Sequence, residues 1–136
     1  MNPTPYLVFE GTCREALETY AQVMGGEVEM MMTADQMPEG APPEGKENWI
    51  LHGAVQFDEG LLMASDNIFG EAWPMAGCSV HMAFPSVERG REVFAVMAEG
   101  GEVQMDYQAT FWTPGFGTLR DRFGVNWMIS TSQPFP

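Results

Sequence analysis

Cations are scarce in this chain. Six Lys and Arg stand against 19 Asp and Glu, a formal net charge of −13 over 136 residues. A surface of that sign repels phosphate backbones and anionic lipid, so no nucleic-acid partner and no membrane partner is expected. An anionic ligand stays open, because a local pocket can oppose the global sign. Cysteines are nearly as scarce, with only Cys13 and Cys78. They could pair, but a chain with a sizeable core needs no staple, and free cysteines are the simpler expectation. No run approaches 18 consecutive apolar residues, and no basic and apolar leader is visible at the N-terminus. The expectation is a soluble, cytoplasmic protein.

What is present is a core and many turns. Apolar residues make up 45% of the chain, and 15 glycines and 10 prolines argue against long helices. Twelve methionines suit irregular cores and adaptable pockets.

The chain also repeats itself. "MGGEVEMM" at 24–31 returns as "EGGEVQMD" at 99–106, an offset of 75 residues. The same offset lays "YLVF" at 6–9 over "HMAF" at 81–84. The helix interiors fit less well: Leu17 and Tyr20 run about one position out of phase with Val93 and Phe94. A repeat of this kind fixes the architecture before any single element does. In the first half, Tyr6 to Phe9 predicts a strand. Thr12 and Glu15 predict a capping box ahead of a helix whose face is Ala16, Leu17, Tyr20, Val23 and Met24. Gly25 or Gly26 stops it. "EVEMMMT" predicts a strand, and residues 34–48, acidic and rich in Pro and Gly, predict a loop. "WILHGAVQF" and "LLMASD" predict a hairpin turning at 58–60. After a connector at 66–78 the second half follows the same order: strand, a helix capped by Ser86 and stopped at Gly100-Gly101, then three strands, the last two joined by a turn at Phe123-Gly124. The fold class is α+β: a single domain of two β-α-β-β-β modules, about 1–70 and 78–132, with a cleft between modules as a plausible ligand site.

Four segments in order, "YLVFEGTCREALETYAQVMGG", "LLMASD", "GGEVQM" and "FWTPGFGTLRDRFGVNWMI", span nearly the whole chain. Together with the duplication, they resemble the PhnB-like branch of the vicinal oxygen chelate superfamily, which holds glyoxalases, bleomycin-resistance proteins and extradiol dioxygenases. The resemblance implies paired modules, a homodimer and a cup-shaped site. Relatives of this branch have been tied to a demethylubiquinone methyltransferase, but no glycine-rich methyl-donor loop follows a strand here. Metal-dependent members draw His, Glu or Gln from four inward-facing strand positions. By the resemblance these fall at Pro5 or Tyr6, near Leu61 to Met63, at His81, and near Met128. Only His81 is a usual ligand, so no cofactor and no catalytic metal is expected.

His81, His52 and Glu29 are the candidate catalytic residues. Each also has a plainer use: a satisfied strand histidine for His81, a place at the cup border or dimer seam for His52, an exposed carboxylate for Glu29. Tyr6, His81, Tyr107, Trp112, Phe116 and Arg120 are the candidate substrate-binding residues. Arg120 either clamps an anionic substrate or pairs with a surface carboxylate, and the aromatics either line a pocket or fill the core. Function then reads as metal-free binding of a small organic molecule in the cleft. Resistance proteins of this superfamily sequester cationic, aromatic drugs, and the acidic charge agrees with that use. The alternatives are a metal-dependent lyase, isomerase or dioxygenase with an altered ligand set around His81, and an inert or regulatory dimer.

Overall fold

The computed structural model describes every residue except Glu39, inside the expected 34–48 loop, and Ala72, inside the expected connector; these two lie outside the described residues. The chain forms two compact units, Met1–Trp73 and Pro74–Pro136. The first runs β1 (Tyr6–Phe9), α1 (Cys13–Met24), β2 (Glu27–Thr33), β3 (Ile50–Gln56) and β4 (Leu61–Asp66). The second runs β5 (Val80–Phe84), α2 (Val87–Ala98), β6 (Glu102–Gln108), β7 (Phe116–Arg120) and β8 (Asn126–Thr131). The sheets have matching orders, β1-β4-β3-β2 and β5-β8-β7-β6. In each the first strand lies parallel to the last, and the remaining pairs are antiparallel. This is the duplicated β-α-β-β-β pattern that the repeat predicts. Residues 10–12 separate β1 from α1, whereas only 85–86 separate β5 from α2. The shorter entry to α2 brings Phe94 level with Tyr20 but sets Arg91, not Val93, level with Leu17.

Each helix buries one stripe against one face of its sheet. In α1 the stripe is Ala16, Leu17, Tyr20, Ala21 and Met24, and Leu17 and Tyr20 are wholly buried. The facing strand positions are Leu7, Phe9, Val55, Leu62 and Ala64. Burial of a side chain of this size contributes about 2 kcal/mol. Gly53 lies on this face because a Cβ there would strike the Leu17 side chain. In α2 the stripe is Gly90, Val93, Phe94 and Met97, set against Leu119, Trp127 and Ile129. The opposite face of each sheet carries mostly exposed or half-exposed side chains, with Ala54 and Ser130 buried among them, and the strands show the alternating burial that one covered face imposes.

The helix starts differ from one another. Ser86 caps α2 as expected, its Oγ accepting the Arg89 N–H at 3.0 Å. Thr12 does not cap α1; its side chain makes no capping bond. The carboxylate of Asp66, at the end of β4, takes that place. Its Oδ1 accepts the N–H groups of Gly11 at 2.8 Å and Cys13 at 3.1 Å, and its Oδ2 accepts the Ile50 N–H at 2.8 Å. One buried carboxylate thus ties the entry of α1 and the start of β3 to the end of β4. The expected Thr12–Glu15 capping box is absent, and a capping box forms at Thr33 and Gln36 instead, around a 3-10 turn at Ala34–Gln36.

An Asp66→Asn chain keeps the shape of the side chain but turns an N–H₂ toward N–H donors. Hydrogen bonds to a charged acceptor each contribute about 1.5–3 kcal/mol. The variant should therefore lose about 3 kcal/mol in urea unfolding. A loss under about 0.5 kcal/mol would show that the carboxylate does not hold the first unit together.

Candidate functional site

The uncovered face of the second sheet follows from the strand register. His81 pairs with Met128, Met128 with Thr118, and Thr118 with Met105, so these four form one rung across β5, β8, β7 and β6. Ser130 lies two residues along β8 on the same face and pairs with Phe116. His81 is exposed, and its Nε2 is 2.7 Å from the Ser130 Oγ. At the end of this face is an open hollow of about 480 Å³ whose walls include His81, Ser130, Trp112, Phe116, Gln133 and Phe135. That is within the size range of small-molecule sites.

The aromatic wall is built by a tight turn. Thr110 Oγ1 accepts the N–H groups of Trp112 and Thr113 at 3.3 and 3.2 Å, and Thr110 N–H donates to the Thr113 carbonyl at 2.8 Å. This fixes Phe111 and Trp112 at the turn's tip, where they are 92% and 55% exposed. Trp112 meets Phe111 and Phe116 edge-to-face, with ring centroids at 4.9 and 5.4 Å. Such contacts hold rings in fixed orientation.

The first unit has a corresponding rung: Tyr6 pairs with Met63, Met63 with Ala54, and Ala54 with Met30. His52 faces Met32 on β2. Its Nδ1 lies 3.1 Å from the Tyr6 hydroxyl, and the two rings stack at 5.7 Å. Each unit therefore joins one imidazole to one hydroxyl on its uncovered face.

Other candidates fall elsewhere. Tyr107 is buried beneath α2, and its hydroxyl donates to the Val87 carbonyl at 3.0 Å. A Cβ at Gly90 or at Gly115 would collide with that hydroxyl, so these glycines keep space for it. Burial, partly offset by the Arg91 charge, raises the phenol pKa. Tyr107 is a packing residue on the face opposite His81. Glu29 is exposed at a bulge between Val28 and Met30 and has no register partner on β3. Arg120 stands on the His81 face but is occupied. Its Nε donates to Asn126 Oδ1 at 3.1 Å and its terminal nitrogen to the Met75 carbonyl at 2.9 Å. Asn126 in turn holds the Cys78 carbonyl at 3.2 Å. Both residues thus pin the segment ahead of β5, a job that no sequence pattern announces. Ser130 was not singled out in the sequence; only its two-residue spacing from Met128 places it on the same face.

The chain is 31% identical over 142 residues to the protein YjdN of Escherichia coli, covering 98% of this chain and 97% of that one. It is 38% identical to the protein PA1353 of Pseudomonas aeruginosa, whose crystal structure superposes with a TM-score of 0.90 over 98% of this chain and 99% of that one. The chain belongs to the PhnB-like branch of the vicinal oxygen chelate superfamily. A PhnB protein of Bacillus cereus, 23% identical, has the same fold, with a TM-score of 0.82 over 97% of this chain and the whole of that one. Glyoxalase/bleomycin-resistance/dioxygenase domains share it too. No family model matches the sequence.

In a PhnB-like chain the question of a metal turns on the rung heads. The register sets Tyr6 beside Met63 and His81 beside Met128. These positions offer a phenol, an imidazole and two thioethers, with no carboxylate. Nickel, zinc, iron and manganese sites of this superfamily need oxygen and imidazole donors. Among the described residues no three His, Cys, Asp or Glu side chains gather within reach of one ion. The donor set does not fit such a metal.

The thiols lie outside this surface chemistry. Cys78 is exposed and Cys13 is buried, and neither is bonded to the other. Desolvation first, and the nearby Asp66 charge second, push the Cys13 thiol from 9.0 up to about 12, against a smaller opposite effect of Arg14. Native protein should yield one equivalent of thiol to a disulfide reagent, with the second appearing on unfolding. The folded chain keeps the Cys13 proton up to about pH 12, whereas the unfolded chain releases it near 9.0. The stability from this group is therefore complete below pH 9.0 and is lost as pH rises toward about 12. Cys13→Ala should flatten the alkaline fall in melting temperature; two fast-reacting thiols in native protein would contradict the assignment.

Proposed function

We propose that this PhnB-like protein binds a small aromatic organic molecule in the hollow beside His81, without a catalytic metal. The observation that carries the reading is the wall itself: three aromatic residues, Trp112, Phe116 and Phe135, border a ligand-sized hollow beside one imidazole. Flat π-faces give binding area at small entropic cost, and the imidazole supplies a polar contact. No Lys or Arg lines the hollow. With a chain charge of −13, this favours a neutral or cationic ligand over an anion. Methyl transfer has no support, since no glycine-rich donor loop follows a strand.

The protein is further proposed to act in the cytoplasm as a homodimer. Unpaired cysteines support the location. Exposed Tyr6, Val8, Met30, Met32, Met105 and Met128 on the uncovered sheet faces support the pairing.

Ethidium, as an aromatic cation, and naphthalene-2-sulfonate, as an aromatic anion, serve as probes in calorimetric titrations. The cation should bind more tightly. Trp112→Ala and Phe116→Ala should each weaken it about tenfold, the cost of one lost aromatic contact of about 1.4 kcal/mol. Chelator should leave binding unchanged. Binding that is indifferent to both substitutions would remove the hollow from consideration. Elemental analysis should find no stoichiometric Ni, Zn, Fe or Mn. A full equivalent lost on His81→Ala would instead support the metal-dependent lyase, isomerase or dioxygenase.

A further inference from the structure

The hydrogen bond between His81 and Ser130 joins an imidazole to a hydroxyl at the wall of the hollow. Ser130 is only 6% exposed, and His81 Nε2, at 2.7 Å, is the hydrogen-bond partner found for its hydroxyl among the described residues. If Nε2–H donates to Oγ, the hydroxyl proton needs another acceptor, and no protein group among the described residues supplies one. The arrangement that pairs both groups within the protein has Ser130 O–H donating to Nε2. The neutral ring then carries its own proton on Nδ1. A hydroxyl donating to an imidazole lone pair is the polarity that lets a histidine take a proton from a serine as the serine attacks. The 2.7 Å separation lies within the reach such a transfer needs. Both residues line the aromatic-walled hollow, so a bound molecule would meet the oxygen directly.

We propose that Ser130 is a nucleophile and His81 its general base, and that the pair takes the acyl group of aryl esters bound in the hollow. This rests on the reading of the hollow as a small-molecule site. The Ser130 Oγ forms a bond to the acyl carbon while His81 Nε2 takes the hydroxyl proton. The carbon–oxygen bond to the aryl group breaks, and His81 returns the proton to the departing aryloxide, which leaves as a phenol. Water then adds to the acyl carbon, with His81 accepting one of its protons. The bond to Oγ breaks, the carboxylic acid leaves, and Ser130 regains a proton from His81. Water is the only co-reactant, and no oxidant is involved. Among the described residues no carboxylate hydrogen-bonds to the His81 ring, so acylation is expected to be slow and most visible as a single turnover.

The test uses the full-length protein with 4-nitrophenyl acetate and, separately, an aryl fluorophosphonate. The second reagent forms an Oγ–phosphorus bond and expels fluoride. Peptide mass spectrometry should place one adduct per chain on Ser130, with one equivalent of nitrophenol released in the burst. Ser130→Ala should abolish the adduct. His81→Gln, at an exposed position that folding tolerates, should slow it at least tenfold. Long-range proton–nitrogen NMR should show the Nδ1–H form of His81, shifting toward a mixture in Ser130→Ala. An absent adduct, or one formed equally fast in His81→Gln, would overturn the proposal. Ethidium binding measured on the same samples separates the two failures: retained binding without acylation removes only the nucleophile, whereas loss of both removes the site.

Discussion

A buried carboxylate must find donors or it will not stay buried. Stripped of partners, it costs several kcal/mol. This chain has 19 acids and only six strong bases, so ion pairing cannot supply them. Both buried aspartates are met by N–H groups instead. Asp66 collects three backbone donors and so joins α1, β3 and β4. Asp121 sits at the β7–β8 turn and collects the N–H groups of Phe123 and Val125 and the indole N–H of Trp127, each at 2.9 Å. Trp127 is the largest wholly buried side chain. Its placement in the core therefore depends on a carboxylate in the turn. With these two clasps set, each helix lies on one sheet face, and the other face is left for the rungs that carry His52 and His81.

The duplication made most of this architecture legible. Strand pattern and the 75-residue offset give the order of elements, and two-residue alternation separates the buried from the open face. The slip between helices was legible as well, and loop length accounts for it at Tyr20 and Phe94 but not at Leu17 and Val93. Hidden from the sequence was the destination of polar side chains whose partners are distant in the chain. Thr12 looks like a helix cap, but it makes no capping bond, and Asp66, more than 50 residues on, takes the N–H groups of Gly11 and Cys13 at the helix start. A charged carboxylate is a stronger acceptor than a neutral hydroxyl, and Asp66 takes three N–H groups at once. Arg120 looks like an anion clamp or a surface ion-pair partner. Its fork is filled by a carbonyl and an amide oxygen, because the segment before β5 passes within reach.

The aromatic residues divide for a related reason. Tyr107 and Trp127 carry polar tips that find buried acceptors, and they go to the helix side of the sheet. Trp112 and Phe116 go to the open side, the first on a turn whose backbone is held by Thr110 and the second on β7 facing Ser130. Composition alone cannot sort the two groups. The bulges in β6 between Val103 and Gln108 also disturb simple alternation around Tyr107. Glu29 presents the same problem on β2, where a bulge removes it from the paired register that would otherwise assign its face.

The rung heads of this PhnB-like chain set thioethers beside a phenol and an imidazole on the shared scaffold. A thioether replaces an expected carboxylate or imidazole at Met63 and at Met128, beside Tyr6 and His81. Thioethers are soft, flexible and weak acceptors. They carry no charge and present a polarisable surface. The same exchange frees the surviving imidazole. A metal-bound histidine spends one nitrogen on the ion, whereas His81 uses Nε2 on Ser130 and keeps Nδ1 for a ligand or for solvent. The hollow itself presents hydroxyl, imidazole and aromatic faces.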